Sequence, residues 1–279
     1  MFLGDIPILL YHSITEPGLP LASNSLALSA NDFEQQMDYL YTHGYHCIPL
    51  QTILDSKHEG AALPLKAFAL TFDDGYQDLA TRAYPILQRY GFTATVFVVT
   101  ERVGGKGNWP GETGKPLLTW NQIRALAGEG ITFGSHTCNH LRLPYLPQQV
   151  IQQELAWSKN RLEDELGHQI HFLAYPYGHS NSRVQEMAVE IGYTGAFGQR
   201  TGRSGPYNIW RRMAHARESL PAFQFRLSRW YIYPTWLRQD TFVGEALRKV
   251  KHALFGPAQW PSFEGAPYPD VSREESRNR

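Results

Sequence analysis

The chain has 279 residues, with 26 lysines and arginines set against 26 aspartates and glutamates, so its formal net charge at pH 7 is zero. That balance gives no electrostatic case for a nucleic-acid partner, which calls for an excess of Lys and Arg against the phosphates. Hydrophobic residues make up 42% and charged residues 19%, as in a globular chain with a sizeable core, and two cysteines are too few for a disulfide framework.

From the N-terminus, Met1 to Tyr11 is partly apolar but lacks a basic leading region and a small-residue cleavage site, and it is far too short to span a bilayer. The expected location is the cytoplasm or the inner face of its membrane. Candidate strands follow as short apolar runs: Pro7–His12, His46–Leu50, Lys66–Phe72, Thr93–Val99, Ile131–Ser135, His171–Tyr175, Thr194–Phe197 and Asn208–Met213. Between them, apolar residues recur at helical spacing and a glycine follows each set. Phe33, Met37, Leu40 and Tyr41 precede Gly44, and Leu79, Ala83, Ile86, Leu87 and Tyr90 precede Gly91. Ile123, Leu126 and Ala127 precede Gly130, and Val150, Ile151, Leu155, Leu162 and Leu166 precede Gly167. Seven or eight strands with one crossover per step predict a parallel α/β barrel rather than an open sheet. Val103 to Leu117 is Gly-rich and aperiodic, a surface loop that reads as a passive connection or a lid. Cys47 lies in an apolar run and reads as a small buried hydrophobe, and Cys138 as a packed thiol in preference to a soft metal ligand.

Beyond about Leu220 the pattern changes. Leu237, Val243, Leu247, Val250 and Leu254 recur at roughly helical spacing beside Arg238, Arg248, Lys249 and Lys251. The expectation is a terminal helix packed on the barrel; peripheral membrane contact through this basic amphipathic segment is the alternative. Residues 229–279 thus form a C-terminal extension, part helical, ending in a Pro-, Gly- and charge-rich tail expected to be poorly ordered.

Four polar clusters directly follow apolar strands: Tyr11-His12, Asp73-Asp74-Gly75, His136 to His140, and Tyr175-Pro176-Tyr177-Gly178. In parallel α/β folds the C-terminal strand ends are where catalytic groups converge. His136 and His140 are four apart, so one helical turn would set both imidazoles on one side, an arrangement that suits a divalent transition metal. Two adjacent carboxylates after a buried strand are costly unless something positive joins them. Side chains alternate along an extended segment, so the two do separate jobs: one completes a two-histidine, one-carboxylate metal site and the other stands beside the attacking water. A single aspartate there reads equally well as a helix cap or a turn residue; both, together with the histidine pair, do not.

Phe72-Asp73-Asp74-Gly75 followed by His136-Thr137-Cys138-Asn139-His140 resembles the first two motifs of the polysaccharide deacetylases, the NodB-homology or carbohydrate esterase family 4 domain. The resemblance covers roughly Pro7 to Leu227 and implies a distorted (β/α)7 TIM-like barrel over residues 1–228 with a divalent metal, commonly zinc, with cobalt, nickel or iron as alternatives. It implies Asp73 as general base and Asp74, His136 and His140 as metal ligands. Where the family commonly has Arg-x-Pro-Tyr, this chain has Tyr175-Pro176-Tyr177-Gly178, which resembles the branch containing the poly-N-acetylglucosamine deacetylases. That branch takes its acid histidine from an N-terminal Tyr-His pair, here His12, with His215 as the runner-up from the common layout. Without the arginine of the third motif, the cation beside Asp73 is expected to be Arg212, with Arg211 facing water. The resemblance also nominates the Tyr177 backbone N–H for the oxyanion.

The expected activity is removal of an N-acetyl group from an amino sugar in a polysaccharide or lipid-linked glycan, by attack of a metal-activated water. Tyr175, Pro176 and Trp109 are expected at the substrate, with Tyr177 and Trp120 as further rings near the mouth. An amidohydrolase of the same fold acting on a small nitrogenous molecule, and a non-catalytic carbohydrate-binding barrel, are the alternatives. Oligomeric state has no signature in the sequence.

Overall fold

A computed structural model describes residues 6–18, 26–60, 62–109, 114–198, 205–216, 218–228 and 231. The amphipathic run from Leu237 to Leu254 and the tail beyond it lie outside the described residues. In chain order the elements are β1 (Ile8–Tyr11), β2 (Ile14–Thr15), β3 (Leu28–Ser29), α1 (Ala30–Thr42), β4 (His46–Cys47), α2 (Leu50–Glu59) and β5 (Ala67–Phe72). A π-helical turn, Leu79–Ala83, runs into α3 (Tyr84–Tyr90), followed by β6 (Thr95–Val98), α4 (Trp120–Gly128), β7 (Thr132–Ser135) and α5 (Gln148–Leu166). Then come β8 (Phe172–Ala174), α6 (Ser182–Glu190), β9 (Gly195–Gly198), β10 (Ile209–Trp210), β11 (Arg212–Met213) and α7 (Leu220–Leu227).

The strands run parallel in the order β10-β9-β8-β7-β6-β5-β1-β11, with β4 pairing β5 beside them. The predicted strand Asn208–Met213 is broken at Arg211. Its first half pairs with β9 and its second with β1, so one short stretch of chain closes the ring. Counting that stretch once leaves seven strand positions, the expected distorted (β/α)7 barrel.

Alternation along the strands sorts the core into two layers. Ile8, Ala67, Ala69, Phe97, Phe172, Ala174, Phe197 and Ile209 form one cluster with Ile48, just before α2, and with Leu50, Ile53 and Leu54 from its start. These residues fill the inside of the ring, and α2 closes its lower end. Leu9, Tyr11, Phe68, Leu70, Phe72, Val96, Val98, Phe133 and Leu173 face outward and pack on Phe33, Met37, Leu87, Ile123, Leu155, Leu162 and Val184 of the helices. Gly134 on the inner face is a fit requirement: a Cβ there would lie 2.7 Å from the Phe97 ring and 2.9 Å from the Phe172 carbonyl oxygen.

The helices end as the glycines predict, with Gly91 and Gly167 in left-handed caps. Three of the described helices, α2, α6 and α7, have no counterpart in the apolar spacing. Each is short, and α6 begins from Asn181, whose side chain accepts the Val184 N–H. The described part of Val103–Leu117 is a packed hairpin rather than a free lid. Gly104 N–H donates to Leu118 at 2.8 Å, Gly107 N–H to Lys115 at 2.9 Å, and Gln77 N–H to Pro116 at 3.0 Å. No helix among the described residues is long and apolar enough to cross a membrane.

Candidate active site

The inner-face phase of three adjacent strands runs straight into the chemistry. From Ile8 it leads through Leu10 to His12; from Ala69 through Thr71 to Asp73; from Ile209 to Arg211. Strand β1 lies beside β5 with Tyr11 opposite Phe72, and Asp73 N–H donates to the Tyr11 carbonyl at 3.0 Å, so His12 and Asp73 leave the ring at one level. Arg211 Nη1 and Nη2 donate to the two carboxylate oxygens of Asp73 at 2.6 and 2.7 Å, and Nη1 also reaches Thr71 Oγ1 at 3.3 Å. The guanidinium lies over the Phe97 and Phe197 rings, 5.2 and 5.7 Å from their centroids, on the same inner surface. Burial raises the Asp73 carboxyl, but the Arg211 guanidinium and the His136 imidazole outweigh it and hold its pKa below the usual carboxylate value. Burial lowers the His12 imidazole, partly opposed by Asp74 and Asp73. The loop after His12 is pinned by Asp78, which accepts from Ser13 Oγ at 2.5 Å and from Ile14 N–H at 3.0 Å.

Asp74 turns away from Asp73 because its backbone is left-handed, with φ of 71°. Its Oδ1 faces His136 Nε2 at 3.4 Å and His140 Nε2 at 3.3 Å, and ligand atoms of all three residues lie within 4.8 Å of one another. His136 Nδ1 lies 2.7 Å from the Ala174 carbonyl oxygen. A carbonyl only accepts, so Nδ1 carries the hydrogen, and in the neutral ring that a metal requires Nε2 presents a lone pair. Asp74 Oδ1 is buried without a hydrogen-bond partner. Lone-pair atoms turned toward one another in a buried site repel unless a cation lies between them. Two ligands about 2.0–2.1 Å from one ion, at the tetrahedral angle, stand about 3.3 Å apart. The two Asp74–imidazole separations match that spacing, so these residues fit a divalent metal. The imidazoles more than reverse the effect of burial on Asp74 and hold its carboxyl well below the usual range. Burial lowers His136, but Asp73 and Asp74 outweigh it and its pKa is raised; for His140 burial prevails and the pKa is lowered.

The described strand ends thus bring a three-residue metal cradle, an arginine-paired carboxylate and a histidine to one mouth. The profile described as "Polysaccharide deacetylase" matches residues 61–196. A Bacillus subtilis (strain 168) protein that carries the polysaccharide deacetylase name, YxkH, is 33% identical over 190 residues, which are 68% of this chain and 63% of the relative. The poly-β-1,6-N-acetyl-D-glucosamine N-deacetylase of Escherichia coli (strain K12) is 31% identical over 136 residues, 46% of this chain and 20% of that protein. The chain therefore spans less than two thirds of the length of both curated relatives. Among solved structures, the Streptococcus pyogenes deacetylase PplD in complex with acetate superposes with a TM-score of 0.71 at 26% identity, over 80% of this chain and 98% of that one. Residues 61–196 belong to the polysaccharide deacetylase family.

Within this deacetylase-family barrel, several expected positions move. The cation on Asp73 is Arg211, not Arg212. Adjacent residues of an extended segment point to opposite sides, and the inner phase from Ile209 selects Arg211. Arg212 points outward, where it donates to the backbone carbonyls of Arg226 and Ser228. Tyr175 cannot stack on a sugar, because it also lies on the outward phase, is 0% exposed, and donates its hydroxyl to the Tyr207 carbonyl at 3.0 Å. Pro176 is buried as well. Trp109 is buried too; its ring stacks on His140 with centroids 4.4 Å apart, and its indole N–H donates to Tyr76 Oη at 3.0 Å. It is a wall of the metal cradle rather than an open platform. Tyr177 is left-handed with φ of 59°; its ring meets His140 edge-on at 4.6 Å and its face carries the Arg142 guanidinium at 3.8 Å. Trp120 opens α4 and lies under Arg161 at 5.2 Å.

His136 and His140 do not share a helical turn. Left-handed kinks at Thr137 (φ 68°) and His140 (φ 60°) bring the imidazoles together instead. His215 is exposed and feels Arg226 rather than the site's carboxylates, which leaves His12 as the acid candidate at the mouth. Cys138 is a buried thiol whose pKa burial and Glu154 push up to about 12, so it stays protonated and packed. Cys47 is a partly buried free thiol that donates to the Thr93 carbonyl. Residues missed in the sequence are Arg211, Asp78 and Glu154. Glu154 did carry a signal: it sits among Ile151, Leu155, Ser158 and Leu162 on the buried face of α5.

Proposed function

We propose that this chain is a metal-dependent N-deacetylase that frees acetate from N-acetylated amino sugars of a poly-N-acetylglucosamine-like glycan. The observation that carries the reading is the convergence of Asp74, His136 and His140 beside the Asp73–Arg211 pair and His12. Asp74, His136 and His140 would hold the metal, and zinc suits one carboxylate and two imidazoles. When bound, the ion supplies Lewis acidity that makes water more acidic and draws charge from the amide carbonyl.

The chain's own groups do the rest. Asp73, ionised at neutral pH by its arginine, has lone pairs beyond those Arg211 occupies and takes the proton of the attacking water. The Tyr177 backbone N–H, presented by a left-handed turn at the end of β8, faces the developing oxyanion. His12 protonates the departing amine, without which the leaving group is a strongly basic amide anion. Burial, by lowering the pKa of His12, makes its imidazolium the stronger proton donor.

The test is acetate release from β-1,6-linked N-acetylglucosamine oligomers by metal-depleted protein refilled with zinc, cobalt or nickel. Metal-dependent release with equal appearance of free amine supports the reading. Turnover confined to small cyclic amides would replace the glycan with a small-molecule substrate. No turnover on either class, with metal bound, would remove the catalytic reading.

A further inference from the structure

The segment that carries both histidine ligands is held from outside by a buried carboxylate that the reaction above does not use. Glu154 on α5 is 4% exposed, and its two oxygens are taken by two donors of one residue. Asn139 N–H donates to Oε2 at 2.9 Å and Asn139 Nδ2 to Oε1 at 2.7 Å. Burying a carboxylate against neutral donors is costly, so the position is informative about what it holds. Asn139 lies between two left-handed residues, Thr137 and His140, in a conformation that L residues avoid. Bonds within the segment secure each kink, with Thr137 N–H donating to Ser135 Oγ and His140 N–H to Thr137 Oγ1, both at 3.1 Å. Glu154 ties the stretch between the kinks to the helix behind it.

We propose that Glu154 is a positioning residue for the metal site, fixing Asn139 and through it the turn that aims His140 Nε2 at Asp74. The inference rests on the metal reading above. The chemistry requires a carboxylate at this position. Two donors from one residue need two acceptor oxygens; a glutamine offers one and sets its own N–H₂ against the other donor.

That asymmetry gives a rescue test. Glu154→Gln and Asn139→Asp each break one bond, the second by pressing two carboxylates together. In the double variant Asn139→Asp/Glu154→Gln, the new aspartate accepts from the new glutamine's amide, whose carbonyl accepts the backbone N–H of position 139. Both bonds return with the side-chain donor and acceptor exchanged. Metal-depleted variants, checked for folding by thermal melting, are titrated with Zn2+ and Co2+ against a chromophoric chelator. Each single change is expected to weaken metal binding about 10-fold or more, and the double to return within about 3-fold of wild type. Should Glu154→Gln not fold, Asn139→Ser removes the side-chain donor with α5 untouched and is expected to weaken binding likewise. Unchanged affinity in a folded single variant, or a double no better than the worse single, overturns the inference while leaving the metal site in place. A wild-type chain that binds no divalent ion overturns the metal reading and this inference together.

Discussion

Arg211 grips Asp73 through both carboxylate oxygens, at 2.6 and 2.7 Å, from the break between β10 and β11 where the ring of strands closes. A guanidinium fork fits a carboxylate in a way that an ammonium does not. Arg211→Lys is therefore expected to let the Asp73 pKa rise. The base is then protonated at higher pH, so the limb along which activity is lost on acidification moves upward. Arg212→Lys, on the outer face, is expected to leave that limb in place. Arg211→Met strands a buried carboxylate, and thermal or denaturant melting should register a loss of about 3–5 kcal/mol.

The two aspartates should separate cleanly. Asp74→Asn, His136→Ala and His140→Ala are each expected to lose bound metal and turnover together. Asp73→Asn is expected to keep one ion per chain and lose turnover by about 100-fold or more. Metal analysis beside acetate release checks both, and a metal-replete, active Asp73→Asn would remove the base assignment.

His12 and His215 make the second comparison. His12→Ala should cut the rate by about 100- to 10,000-fold with metal content unchanged. His215→Ala, at an exposed position, should stay near wild type.

Metal binding should weaken on acidification, because an imidazole ligates only when neutral. His136, raised by Asp73 and Asp74 against the effect of burial, is the histidine whose proton competes first. Below its pKa the dissociation constant is expected to rise about 10-fold per pH unit. Calorimetric titration in buffers of different ionisation enthalpy should show proton release on binding in that range and none well above it.

Much of this was legible in the sequence because strands bounded by polar ends are local signals. All eight apolar runs became strands, and Asp73, Asp74, His136 and His140 stand where their strands stop. What failed was phase and partnership. Two adjacent arginines at 211 and 212 cannot be told apart by composition; only the inward position of Ile209, known once the ring is closed, decides between them. The same alternation turns Tyr175 outward and removes it from the substrate side. The histidine spacing suggested a helical turn, yet the imidazoles meet through left-handed backbone at Thr137 and His140, which is sustained by contacts from α5 far along the chain. Trp109 is expected at the substrate as an aromatic ring near the predicted mouth; its stacking on His140 depends on the hairpin and on Tyr76, which no local pattern shows.

Anomalous X-ray diffraction from zinc-soaked crystals, recorded on both sides of the zinc edge, tests the central claim most directly. One peak per chain is expected, within about 2.0–2.2 Å of Asp74, His136 and His140. A well-ordered site with no peak among those three side chains, or an ion bound elsewhere, would contradict the account.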